Sequence, residues 1–193
     1  MSNTMTPQSL LNALPLFASN VTALLESLSI DASQLQADHL ALRLNDQSVA
    51  EACFEQWLDY GERISAAVIN GRPIWIIKLE SPLQIGAWQV PCIELPFPSK
   101  KRYVNEGWEH IEFVIPGGAT TLAQLQDDLQ RLFPTHSLTP DALVSQGFEY
   151  KASQPEAEGE QLPNPTIAIK RQGICVKFHA HSIEAVVASE QSV

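Results

Sequence analysis

One word occurs twice in this chain: Asp38-His39-Leu40-Ala41-Leu42-Arg43-Leu44 and, about seventy residues later, Glu109-His110-Ile111-Glu112-Phe113-Val114-Ile115. Each copy reads acid, histidine, then apolar residues at a period of two, the pattern of a β-strand with one buried face. Each is followed by a stretch of helical periodicity. Such a repeat restricts the chain to two similar units, and a histidine at the same place in both predicts a site between them.

In the first unit Asn45 or Asp46 can cap a helix whose Ala50, Cys53, Phe54, Trp57 and Leu58 form one apolar stripe, closed by Gly61. Two β-prone runs follow, Ile64 to Ile69 and Ile74 to Leu79, joined at Asn70-Gly71, which signals a tight type I′ hairpin. A strand from Val90 to Leu95 completes a β-α-β-β-β order. The second unit repeats the opening with a strand at 108–115, a Gly117-Gly118 loop and a helix carrying Leu122, Leu125, Leu129, Leu132 and Phe133, ending before Pro134. Residues 134–165 read as an insertion, with an irregular element, a strand, and a polar, Pro-rich loop over 153–165. Strands at Thr166 to Arg171 and Ile174 to Ala180, turning at Gln172-Gly173, lead to a short C-terminal helix.

Ahead of both units, Leu14, Phe17, Val21, Leu24, Leu25 and Leu28 recur at spacings of three and four and mark an amphipathic helix around residues 8 to 28. The expected fold class is α+β. It comprises a helical leader (1–36), a first module (37–98), a linker (99–107), a second module (108–182) and a tail (183–193), the two modules forming one domain. Their sheets are expected to pair side by side and curl into a cup with the helices outside.

With 193 residues, 45% of them hydrophobic, such a fold can bury a real core. The formal charge of -10, spread along the chain, argues against nucleic acid or an anionic membrane as a partner. The N-terminus lacks the basic start and apolar core of a secretory signal, and no stretch suits a bilayer span, so a cytoplasmic location is expected. Cys53, Cys92 and Cys175 are odd in number with no close pair, which favours reduced thiols over a disulfide framework or a CxxC motif.

Strand parity then decides what lines the cup. If the leucines and isoleucines meet the helices, His39, Arg43, Cys92, Glu94, His110, Glu112, Cys175, Lys177 and His179 point inward. Ionisable groups gathered on a concave face must be paired, hydrated or metal-bound. Pairing would join Glu94 to Lys177 or Arg43, and Glu112 to Arg43 or Lys78, while small thiols fill the base. His136 and His181 fall in less regular segments and are expected at the surface. The run Ser99-Lys100-Lys101-Arg102-Tyr103 is either a positive lip or a solvated linker.

With these inward-pointing groups on two repeated modules, the chain resembles the vicinal-oxygen-chelate metalloproteins, whose members include glyoxalase I and extradiol dioxygenases. More narrowly, the segments HLALRLN, ISAAVINGRPIWIIKLE, VPCIELPFPSKKRY and GWEHIEFVIP resemble the YecM family, a metal-binding branch with no settled reaction, over roughly residues 10 to 185. The superfamily carries metal ligands on the first and last strand of each module, which implies His39, His110 and Glu94 here. Two imidazoles and a carboxylate suit zinc, iron, manganese or nickel, and leave positions open for a small substrate with two adjacent oxygens. The chain departs from the pattern at Lys177, where many relatives have a carboxylate, and an ammonium cannot ligate a metal. His179 is an alternative fourth ligand, while Glu112 and Lys177 are candidates for proton transfer or substrate contact. The resemblance implies a metal-dependent isomerase, oxidoreductase or lyase, or a non-catalytic module that binds a small anion or the metal itself. It allows a monomer or a homodimer.

Overall fold

The computed structural model describes residues 5–69, 71–154 and 162–190. The leader forms α1 (Pro7–Ser27), opened by a reciprocal capping box between Thr6 and Ser9, with Leu14, Phe17, Val21, Leu24 and Leu25 on its buried side. The first module follows as β1 (Gln36–Arg43), α2 (Gln47–Trp57), β2 (Gly61–Ser65), β3 (Val68–Ile69), β4 (Arg72–Ile85) and β5 (Trp88–Pro96). Asp46 is the residue that caps α2, through the Val49 N–H. The second module comprises β6 (Gly107–Val114), α3 (Leu122–Leu132), α4 (Pro140–Ser145), β7 (Glu149–Ser153), β8 (Thr166–Arg171) and β9 (Ile174–His179), and α5 (Ile183–Glu190) follows it.

One mixed sheet runs β2-β4-β5-β1-β6-β9-β8-β7, with β3 paired to β4 beside this path. The first strands of the two modules, β1 and β6, pair antiparallel at the centre. Each is flanked by the last strand of its own module, in parallel: β5 beside β1 and β9 beside β6. The repeat thus brings the four strands predicted to carry the site next to one another. On the convex face Leu40, Leu42, Ile93, Ile111, Phe113, Val176 and Phe178 join the apolar sides of α1, α2 and α3 in one continuous core.

Two local readings are corrected and a third is met. The run Ile64 to Ile69 is divided into β2 and β3. The hairpin reading is met where it can be followed: Ile69 pairs with Arg72 and Gly71 takes a φ of 75°, while Asn70 lies outside the described residues. Gly61 does not close α2, which ends at Trp57 with Leu58 as its cap. It opens β2 instead, so close to β4 that a Cβ would run into the Lys78 carbonyl oxygen.

The short C-terminal helix expected from the sequence is α5, within the segment assigned to the tail, and it packs on the concave side. Val187 and Ile183 meet Ile76, Cys92, Ile64 and Ile74 there. Its first backbone N–H, from Ile183, donates to Asp38 Oδ2 at 2.9 Å, and Lys78 Nζ reaches Glu184 at 2.9 Å. The cup therefore has a partial roof. No helix among the described residues is long and apolar enough to cross a membrane.

Candidate metal centre

The register of the sheet aligns two rows of side chains on the concave floor. One runs Cys92, His39, Glu112, Lys177, Ala168, Lys151 across β5, β1, β6, β9, β8 and β7. Its neighbour runs Glu94, Ala41, His110, Cys175 across β5, β1, β6 and β9. Taken from opposite ends the rows correspond, Cys92 and His39 matching Cys175 and His110, as a two-fold relation between modules requires. The correspondence fails twice. Glu112 stands where the first module has Ala41, and Lys177 where it has Glu94.

Both acids of the repeated word occupy irregularities of the central pair. Ala37 pairs with Phe113 and His39 with Glu112, so Asp38 is an extra residue of β1; Ala41 pairs with His110 and Leu42 with Trp108, so Glu109 is an extra residue of β6. A bulge releases a residue from strict alternation. Strict alternation would send Asp38 outward, yet its Oδ2 lies 2.8 Å from His39 Nδ1. Glu109 Oε2 bonds His110 Nδ1 in the same way. Each acid thereby favours the proton on Nδ1 and turns Nε2 toward the cup.

Both Nε2 atoms converge on one carboxylate. Glu112 Oε1 lies 2.9 Å from His110 Nε2 and 3.3 Å from His39 Nε2, and it also accepts from Lys177 Nζ at 2.7 Å. His39, His110 and Glu112 are all buried and offer ligand atoms within 4.8 Å of one another. Asp38, His39 and His179 form a second, overlapping group, with Asp38 Oδ2 3.3 Å from His179 Nε2. Asn164 steadies its far side: Oδ1 accepts from the Ala180 and His181 N–H groups, and Nδ2 approaches His179 Nδ1 at 3.3 Å.

The electrostatics follow from this crowding. Burial opposes charge on His39, but the carboxylates of Glu112 and Asp38 outweigh it and raise the imidazole to about 10. Burial likewise opposes ionisation of Glu112, and Lys177 and His39 overcome it, holding the carboxyl well below its ordinary range. Burial would neutralise Lys177, yet Glu112 and Glu94 keep its ammonium charged and its pKa raised. His179 is lowered by burial, against the pull of Glu112 and Asp38, and is held neutral. For Glu109, hydrogen bonding and charge from His110 prevail over burial and bring it to about 2.

Whether a cation fits is decided by the lone pairs. With protons on Nδ1, the Nε2 lone pairs of two histidines face a carboxylate oxygen, an arrangement that demands positive charge between them, from a proton or a metal. His39 Nε2 and His179 Nε2 are buried with no hydrogen-bond partner. The donor set fits a divalent cation, and Lys177 is its competitor for Glu112.

Of the residues singled out from the sequence, His39, His110, Glu112, Lys177 and His179 come together. Glu94 stands slightly apart, Oε2 3.9 Å from His39 Nε2 and Oε1 3.7 Å from Arg43. Its carboxyl is lowered, Lys177 and His39 overcoming burial. The expected ion pair of Glu94 with Arg43 is present; Glu112 pairs with Lys177 rather than with Arg43 or Lys78. Cys92 and Cys175 are buried thiols, with burial raising Cys175 to about 12. The basic run before β6 ties to the first module, Tyr103 N–H and Arg102 both bonding Asn45, which is the linker reading. His136 and His181 are half-buried rather than exposed. The orienting acids Asp38 and Glu109 were visible in the repeated word itself; nothing in the sequence marked Asn164.

The chain is similar to several known proteins. The family described as YecM protein matches residues 6–190. Protein YecM of Escherichia coli (strain K12) is 40% identical over 185 residues, covering 96% of this chain and 94% of that protein. A solved structural-genomics protein, EC4020, superposes with a TM-score of 0.79 at 38% identity, over 95% of this chain and 92% of its own. Methylmalonyl-CoA epimerase from Mycobacterium tuberculosis gives a TM-score of 0.44 at 13% identity, over 81% of this chain and 95% of its own.

Proposed function

The chain belongs to the YecM family, and from that premise we propose that it binds a divalent metal in the vicinal-oxygen-chelate manner and acts as an isomerase or oxidoreductase on a small, oxygen-rich molecule. The observation that carries the reading is the convergence of His39 Nε2, His110 Nε2 and Glu112 Oε1, three buried donors within 4.8 Å, of which His39 and Glu112 line the cavity of the cup. Zinc, iron, manganese and nickel all suit such a set. A bound cation would supply Lewis acidity, drawing negative charge onto adjacent substrate oxygens.

The chain's own groups divide the remaining work. Glu112 is the third ligand, replacing the sequence-based choice of Glu94. Glu94, ionised and beside Arg43, is the group that accepts a proton at Oε2. Lys177 is a fixed cation and not a base, because two carboxylates keep it protonated; it receives a substrate anion. Asp38 and Glu109 hold the imidazoles in register.

The test is elemental analysis of protein purified without chelators. Wild type should carry about one transition-metal equivalent per chain, and His39→Ala, His110→Ala and Glu112→Gln should lose it. Unchanged metal content in His110→Ala would leave the polar cluster as a metal-free scaffold. Turnover is then sought with diketones, hydroxyketones and catechols; metal retained without turnover across that panel would point to a binding protein.

A further inference from the structure

The space above the floor is a cavity of about 280 Å³, room for roughly nine water-sized groups. Its two sides differ in chemistry. Toward β7 and β8 it is lined by Lys151, Ser153 and Thr166; toward β4 and α5 it is lined by Ile74, Ile76, Val186 and Val187, with Glu190 at the end of α5. A polyol would lie against aliphatic carbon over most of that second side.

The floor row adds a specific feature. Lys177 and Lys151 flank Ala168, each paired with it through the strand register. Two strand spacings put the lysine Cα atoms roughly 10 Å apart, and the small methyl between them leaves the space above Ala168 open to both side chains, although Lys177 Nζ leans to the other side, 2.7 Å from Glu112 Oε1. Glu112 engages Lys177, whereas Lys151 has no ion pair among the described residues. Two cations facing one gap are most favourable with an anion in it, and a planar carboxylate accepts from both.

We propose that the cup takes a short aliphatic carboxylic acid, its carboxylate held between Lys151 and Lys177 and its chain lying against the isoleucines and valines beneath α5. This deepens the reading of the cup as a ligand site. Lys151 is the specificity-determining residue, set on β7 in the insertion of the second module and outside the set of metal ligands.

Calorimetric titration of the full chain with sodium butanoate, sodium hexanoate and hexanamide tests it. Hexanoate should bind about tenfold more tightly than butanoate, from two further buried methylenes, and hexanamide should not bind measurably. Lys151→Gln, a change at an exposed side chain, should weaken hexanoate about tenfold with metal content unchanged. Equal affinity for acid and amide, or indifference to Lys151→Gln, overturns the proposal. Wild type that contains no metal but binds hexanoate with this charge and length dependence would keep the proposal and sink the metal centre. Metal-loaded protein that ignores hexanoate would do the reverse.

Discussion

Glu112 and Lys177 stand directly opposite one another on β6 and β9, and the ammonium lies 2.7 Å from the same oxygen that meets both histidines. A cation bound by His39, His110 and Glu112 would feel that ammonium as a like charge. At about 4 Å and an effective dielectric of about 20, two unit charges cost about 4 kcal/mol, and a divalent cation against an ammonium about 8 kcal/mol.

Lys177→Met is therefore expected to tighten metal binding by at least about tenfold, measured by competition against a chelating dye. The same variant should lose affinity for anionic ligands. Weaker metal binding in Lys177→Met would show that the lysine supports the donor set rather than competing with it.

The orienting acids give a paired prediction. Asp38→Asn and Glu109→Gln should each lower metal affinity about 10- to 100-fold, the usual cost of removing a carboxylate behind a ligand histidine. Only the first should also loosen α5, because Asp38 Oδ2 accepts the Ile183 N–H. Hydrogen exchange at Ile183 separates the two, and faster exchange in both variants would contradict the assignment.

The metal-stripped protein should show a distinct pH dependence. His39 is raised from 6.5 to about 10 because carboxylates outweigh its burial. A raised folded-state value contributes stability fully present below 6.5 and lost as pH rises through about 10. Urea midpoints of the stripped chain should fall across that window, and the fall should shrink in His39→Gln. A flat profile would mean that the imidazole carries no proton in the cluster.

Gly61→Ala should destabilise the chain by about 1–3 kcal/mol, as overpacking typically does. The added methyl meets backbone of β4, which cannot step aside as a flexible side chain could. Denaturant unfolding reads the effect.

The sequence made the repeat legible because hydrophobic alternation and helical periodicity are local signals, and the repeat located His39 and His110 without any knowledge of pairing. The family resemblance implied Glu94 as the carboxylate ligand and left Glu112 for proton transfer; that Glu112 lies within reach of both Nε2 atoms depends on the pairing of β1 with β6. Asp38 and Glu109 were visible as acids, but their inward turn depends on bulges in β1 and β6, which exist only once the two strands are paired. The position of α5 was illegible for another reason. Ile183, Val186 and Val187 form an apolar side that suits either face of the sheet, and only the tertiary contacts with Ile76 and Cys92 select the concave one. Gly61 looked like a helix stop because a glycine after an apolar stripe commonly is one.

The choice between the two carboxylates can be made by one pair of isosteric variants. Glu112 Oε1 sits within 3.3 Å of both imidazole Nε2 atoms, whereas Glu94 Oε2 lies 3.9 Å from His39 Nε2 and shares its carboxylate with Arg43. Glu112→Gln replaces a charged donor at the convergence point by a neutral amide and leaves Lys177 without its closest anion, so metal content should collapse. Glu94→Gln leaves the three-donor set intact; the protein should keep most of its metal and lose any proton transfer that Glu94 performs. Elemental analysis with a proton-exchange assay in deuterated water reads both effects. The reverse pattern, metal lost with Glu94→Gln and kept with Glu112→Gln, would restore the ligand set implied by the last strand of each module and return Glu112 to the role of base.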